Sequence, residues 1–135
     1  MIFLDSSVLV GIIKNETDTH ALIGLIHENE CAIGTPTLVE TRVWCSSNLV
    51  GRSSRWLDTL VDGDGLAVIP FTRDMAAAAS EAFVSFGRNS GHPAKLNFGD
   101  CMAYAVAKVL NGPLLFKGRD FGHTDVLAHP ASIRA

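Results

Sequence analysis

Charge is scarce in this sequence, and basic charge is scarcer still. Asp, Glu, Lys and Arg make up 19% of the 135 residues, and the formal net charge is −3. An ordinary soluble domain carries about a quarter charged residues, and a general nucleic-acid binder usually has a basic excess. Any contact with nucleic acid must therefore rest on local basic residues and on metal ions. Cysteine is thin as well: Cys31, Cys45 and Cys101 form no C-x-x-C pair, which argues against a zinc site. An odd, widely spaced set fits a reduced cytoplasmic protein. No basic region precedes Met1-Ile2-Phe3-Leu4-Asp5, as a secretory signal would require. No apolar run approaches the roughly 20 residues of a spanning helix, so no membrane association is expected. Linkers, repeats and low-complexity stretches are missing too, which predicts one domain over 1–135. With 47% hydrophobic residues the core is ample. The shortage of surface charge hints at an apolar patch that a partner or a second copy would cover.

Short apolar runs alternate with helical patterns along the whole chain. Ile2-Phe3-Leu4 reads as a buried strand, and a helix follows from Ser6 or Ser7 with Val8, Leu9, Ile12 and Ile13 at helical spacing. Residues 17–30 read as a second helix, and Cys31-Ala32-Ile33-Gly34 as a second strand. Thr35-Pro36 opens a helix running toward Gly51. Another helix is expected over 52–60, stopped by Asp62-Gly63-Asp64-Gly65. Residues 66–70 predict a third strand, and 72–86 an alanine-rich helix. A polar loop spans 87–96, Asn97 caps the next helix, and Leu114-Leu115-Phe116 forms a fourth strand. Ser132-Ile133-Arg134 is a candidate fifth. This alternation predicts an α/β fold, a three-layer α/β/α sandwich around a mostly parallel sheet of four or five strands. Right-handed crossovers then bring the strand C-terminal ends to one edge, where ligands bind.

Four acidic residues fall at that edge. Asp5 ends the first strand, although an Asp before Ser-Ser is ordinarily just a helix cap. Glu40 lies about a turn into the third helix; Thr37-x-x-Glu40 could equally be a capping box. Asp100, three residues after Asn97, suits the positive end of a helix dipole. Gly99 beside it is costly in a helix, by about 1 kcal/mol relative to Ala; a close approach of backbone or ligand would explain that, and so would simple tolerance in a first turn. Asp120 follows the fourth strand more closely than Asp125 and is preferred to it. Taken singly, each has an ordinary structural explanation. Together, four carboxylates cannot all ionise cheaply without a cation. Hard oxygen donors suit Mg²⁺ or Mn²⁺, and one or two such ions can activate water for phosphodiester cleavage.

Four stretches carry a resemblance. They are Met1-Ile2-Phe3-Leu4-Asp5-Ser6-Ser7, Thr35-Pro36-Thr37-Leu38-Val39-Glu40, the run from His92 to Cys101 with Tyr104-Ala105-Val106-Ala107 after it, and the run from Leu114 to Phe121 with Thr124-Asp125. Over nearly its whole length the chain resembles the PIN-domain toxins of bacterial VapBC toxin–antitoxin pairs. The resemblance implies a Mg²⁺- or Mn²⁺-dependent endoribonuclease whose acidic positions match Asp5, Glu40, Asp100 and Asp120. Asp5 and Asp100 are the direct metal ligands it favours. Ser6 or Ser7 would orient Asp5 or a water, and Asn97 would support Asp100. It also implies RNA as substrate, a homodimer, and a cognate antitoxin whose tail wraps the toxin in a heterotetramer or larger assembly. Lys117 and Arg119, with Arg88 or Lys95, are candidates to neutralise RNA phosphates. One departure stands out: the slot before Asp120, often acidic or Asn in the family, holds Arg119, which leaves one or two metals open. His123 is given no role.

Other acidic α/β proteins fit less well. A receiver domain needs a phosphoacceptor Asp ending a central strand, and the strands here end in Gly34 and Pro70. A haloacid-dehalogenase-type phosphatase needs Asp-x-Asp, and the second position is Ser7. The non-enzyme alternative is a PIN fold that only binds RNA or protein; its effect would survive metal chelation.

Overall fold

A computed structural model of the chain describes residues 1–49, 54–63 and 65–134. Its centre is β1 (Ile2–Leu4), three residues buried on both faces. A strand covered on both sides cannot alternate polar and apolar residues, which is why the run is wholly apolar. β2 (Cys31–Gly34), β3 (Ala67–Ile69) and β4 (Leu114–Leu115) complete a sheet in the order β3-β2-β1-β4. Every pairing is parallel, with Phe3 opposite Ala32 on one side and Leu114 on the other. The strand order reverses beside β1: β2 and β3 build outward on one flank, β4 on the other. In open parallel sheets a crevice forms at such a reversal, outside the strand C-terminal ends.

Among the described residues, six α-helices connect and cover the sheet: α1 (Ser6–Ile13), α2 (His20–Glu28), α3 (Thr35–Asn48), α4 (Arg55–Asp62), α5 (Arg73–Phe86) and α6 (Phe98–Val109). Successive strand residues point to opposite faces. Phe3, Leu114 and Phe116 accordingly join the core under α5 and α6, with Ala79, Leu96 and Tyr104. Ile2, Leu4 and Leu115 join a second core with Leu9, Ile26 and Leu57 of α1, α2 and α4. The three layers predicted from the alternation of elements are present. Helix α3 touches both α1 and α6 and so closes the strand-end edge.

Several local details differ from the sequence expectation. The second helix does not begin at Thr17; Thr17–Thr19 is a 3-10 turn and α2 starts at His20. Helix α4 begins at Arg55, capped by the Ser54 hydroxyl accepting from the Leu57 amide. Arg52 and Asp64, expected in a helix and a turn, lie outside the described residues, as does Gly51. Thr37 and Glu40 form no capping box: α3 is capped at Gly34 without a side-chain bond, because Pro36 already fixes its first turn. The expected fifth strand is reduced to a bridge between Lys117 and Ile133. The chain end still runs beside β4, with the Ile133 amide donating to the Phe116 carbonyl.

Candidate active site

Asp5 is both a cap and something more. It follows β1 directly and its Oδ2 accepts from the Ser7 amide at 3.1 Å, opening α1 as a good N-cap does. Its other oxygen, Oδ1, is buried and has no hydrogen-bond partner among the described residues. The residue is only 3% exposed. Burial, opposed by the Ser7 bonds and reinforced by Glu40, pushes its pKa up to about 6. Ser7 also acts at longer range. Its hydroxyl accepts from the Lys117 amide at 3.0 Å, tying α1 to the segment after β4. Ser6 contributes only a backbone contact to Asp5.

Glu40 reaches the same place from α3. Its Oε1 is buried without a partner, and so is Thr37 Oγ1 one turn earlier. What comes close to Gly99 is a side chain, not backbone or ligand: a Cβ at Gly99 would overlap the Glu40 carboxylate. Any larger residue there would push that carboxylate out of the crevice.

Asp100 sits at the start of α6. Asn97 Oδ1 accepts from its amide at 2.8 Å, and Asp100 Oδ2 accepts from the Asn97 amide at 3.0 Å. This reciprocal pair fixes the Asp100 rotamer. Burial, then the Asp5 charge, push the Asp100 pKa up to about 7, opposed by the Asn97 bond and helped by Asp120 and Glu40. Asp120 lies exposed at the rim, next to Arg119.

Asp5, Glu40 and Asp120 thus all come within electrostatic reach of Asp100 at the crevice beside β1, and Glu40 within reach of Asp5. Among the described residues, no three His, Cys, Asp or Glu side chains are drawn tightly enough to cage an ion as they stand. The fit to an ion is judged by the donor chemistry. Two buried carboxylate oxygens, Asp5 Oδ1 and Glu40 Oε1, have no donor among the described residues. Unpaired buried acceptors are costly, and a hard divalent cation is the partner they suit.

The substrate candidates fare differently. Lys117 Nζ is 2.9 Å from Asp18 and 3.1 Å from Glu16, and these bonds, Asp18 first, raise its pKa. It must leave both to meet a phosphate. Asp125 is not at the crevice centre: it accepts from Tyr104 and from Lys108. Burial would raise its pKa, but those two bonds outweigh it and hold it down. Sequence reasoning gave Tyr104 no role, though Asp100, Tyr104 and Lys108 recur every four residues along α6, a spacing that puts them on one face. A separate concavity of about 470 Å³ opens between α5 and α6, lined by Phe71, Ala79, Phe83, Phe98, Cys101 and Met102. It is apolar and holds none of the four carboxylates. Trp56 packs against the second core and donates to His27 at 3.4 Å, and Trp44 is half-buried.

The PIN domain model matches residues 2–127. Among curated proteins the chain is 39% identical to Ribonuclease VapC28 of Mycobacterium tuberculosis, covering 91% of this chain and 93% of the relative. It is 36% identical to Ribonuclease VapC of Mycolicibacterium smegmatis, covering 93% and 97%. Solved structures share the fold at lower identity. The FitAcB complex from Neisseria gonorrhoeae aligns with a TM-score of 0.69 and 19% identity over 97% of this chain and 98% of that one. Mycobacterium tuberculosis VapC20, described as a Sarcin-Ricin loop cleaving toxin, aligns with a TM-score of 0.66 and 16% identity over 83% and 85%. With the family model spanning residues 2–127 and VapC relatives matching over 91–93% of its length, the chain belongs to the PIN domain family, in its VapC branch.

Proposed function

We propose that the protein is a Mg²⁺- or Mn²⁺-dependent endoribonuclease and the toxin of a toxin–antitoxin pair, acting in the cytoplasm as one PIN domain over 1–135. The observation that carries this reading is the pair of buried, unpartnered oxygens, Asp5 Oδ1 and Glu40 Oε1, in a crevice shared with Asp100 and near Asp120. The relatives' names support the reaction class: they are ribonucleases. Structural neighbours solved as toxin–antitoxin complexes support a cognate antitoxin and an oligomeric assembly with it.

Asp5 and Asp100 would hold the cation directly, with Glu40 and Asp120 completing the donor set. A bound divalent ion supplies positive charge for the phosphate oxygens and eases deprotonation of the attacking water. Ser7 fixes Asp5, and Asn97 fixes Asp100, so the donors are preorganised. Arg119, exposed beside Asp120, would meet an RNA phosphate. It also opposes a second cation near Asp120, which favours a single tightly held ion. No helix is long and apolar enough to cross a membrane among the described residues.

Incubating the protein with a mixed RNA pool in Mg²⁺, Mn²⁺ or EDTA tests the reaction. Discrete fragments that require metal are expected. An RNA-binding effect that survives EDTA, with no cleavage in any lane, would instead indicate a fold that only binds.

A further inference from the structure

The crevice is assembled from elements far apart in sequence, and one of its donors has little to hold it. Asp120 is exposed and lies on a loop that continues into a 3-10 turn, Phe121–His123. Asp120 caps that turn without a side-chain bond. Asp5, Glu40 and Asp100, by contrast, project from a strand end or from helices.

Five residues beyond Asp120, the loop is tied down. Tyr104 Oη donates to Asp125 Oδ1 at 2.5 Å, and Lys108 Nζ donates to Asp125 Oδ2 at 2.9 Å. Both donors stand on α6, one and two turns beyond Asp100. The two contacts differ in character. Tyr104 is 6% exposed, with its ring packed beside Phe86, whereas the Lys108–Asp125 pair is largely solvated. Exposed ion pairs contribute little, so the buried phenol is the stronger tie. Between the tie and Asp120, the Phe121 ring packs on Phe116 and the Thr124 hydroxyl donates to the Phe121 carbonyl. The loop is therefore a short, internally bonded span, fixed to the end of β4 on one side and to α6 on the other.

We infer that Tyr104 is a positioning residue: by holding Asp125 against α6 it sets where Asp120 stands relative to Asp100. Asp120 and Asp100 then face one cation as a preset pair, without ordering a loop at each binding event. The inference rests on the metal-dependent reading above. Groups that orient metal ligands typically matter by about 10- to 100-fold in affinity when removed.

Tyr104→Phe removes the donor and keeps the ring. Mn²⁺ alone is titrated calorimetrically into the intact wild type, into Tyr104→Phe, and into Ile26→Val, a core change in the opposite layer. Amide exchange over 120–126 is followed in the same samples. Mn²⁺ binding about 10-fold weaker in Tyr104→Phe, with faster exchange over 120–126 and unchanged binding in Ile26→Val, supports the inference. Equal affinity in Tyr104→Phe and wild type overturns it and leaves the nuclease reading standing. Equal weakening in both variants overturns it as well, since general destabilisation then explains the loss. A wild type that binds no Mn²⁺ removes the nuclease reading and this inference with it.

Discussion

Asp5 divides its two oxygens between folding and function. Oδ2 caps α1, while Oδ1 is buried with nothing to bond. Asn caps helices about as well as Asp. Asp5→Asn should therefore keep the fold and relieve the metal-free protein of a buried charge. Its pKa near 6 implies strain on the order of 3 kcal/mol when the group is ionised. A higher melting temperature for Asp5→Asn at pH 8 without metal, together with lost RNA cleavage, is the expected outcome of paired thermal and activity assays. An unchanged or lower melting temperature would show that the charge costs nothing there. Gly99 is the complementary case. A Cβ would overlap the Glu40 carboxylate, so Gly99→Ala should displace Glu40 and lower Mn²⁺ affinity at least about 10-fold. The clash falls on the flexible end of Glu40, and Ala gains about 1 kcal/mol over Gly in a helix, so a urea titration should register little or no loss of stability beside the loss of affinity.

At the scale of elements, α6 does most of the arranging. Its first turn holds Asp100 through the reciprocal bonds with Asn97. Asn97→Ala should cost about 1 kcal/mol in stability and loosen the Asp100 rotamer. Chemical denaturation and Mn²⁺ titration together read both effects; an affinity loss beyond what the stability loss explains marks the orienting role. The Asn97 cap was legible in the sequence because its partner is three residues away. So was Asp5, since an apolar strand running straight into an acid is a local pattern. The Tyr104–Asp125 tie spans 21 residues, and the Lys117–Asp18 pair spans 99. No local spacing announces either, and they are what separate Asp125 from the site and engage Lys117 away from it. Strand ends were less legible for the same reason. Whether Ser132-Ile133-Arg134 forms a strand or a bridge depends on pairing with Lys117, not on its own composition.

The whole molecule couples the crevice to pH. Asp5 and Asp100 both have folded-state pKa values raised by burial, to about 6 and about 7. Between the ordinary carboxylate range and those values, the folded state binds more protons than the unfolded one. Their contribution to stability is therefore fully present below about pH 4 and is lost as pH rises through about 6 to 7. The metal-free protein should melt lower at about pH 8 than at about pH 5.5, and Mn²⁺ should restore most at the higher pH, where the site is ionised. Scanning calorimetry at the two pH values, with and without Mn²⁺, checks both signs. The alternation of apolar runs and helical patterns made the layered parallel fold legible from end to end. The order β3-β2-β1-β4 was not legible, because strand neighbours are chosen by packing between distant segments. That order puts the crevice beside β1 and brings α6 over it.

The most direct test compares RNA cleavage by the wild type with that of four single variants, Asp5→Asn, Glu40→Gln, Asp100→Asn and Asp120→Asn, each in Mn²⁺ and in EDTA. These changes keep side-chain shape and remove charge. Metal-dependent cleavage by the wild type, falling steeply in every variant and most in Asp5→Asn and Asp100→Asn, is the expected result. Full cleavage by Asp100→Asn, or wild-type cleavage that persists in EDTA, would contradict a cation held by these carboxylates.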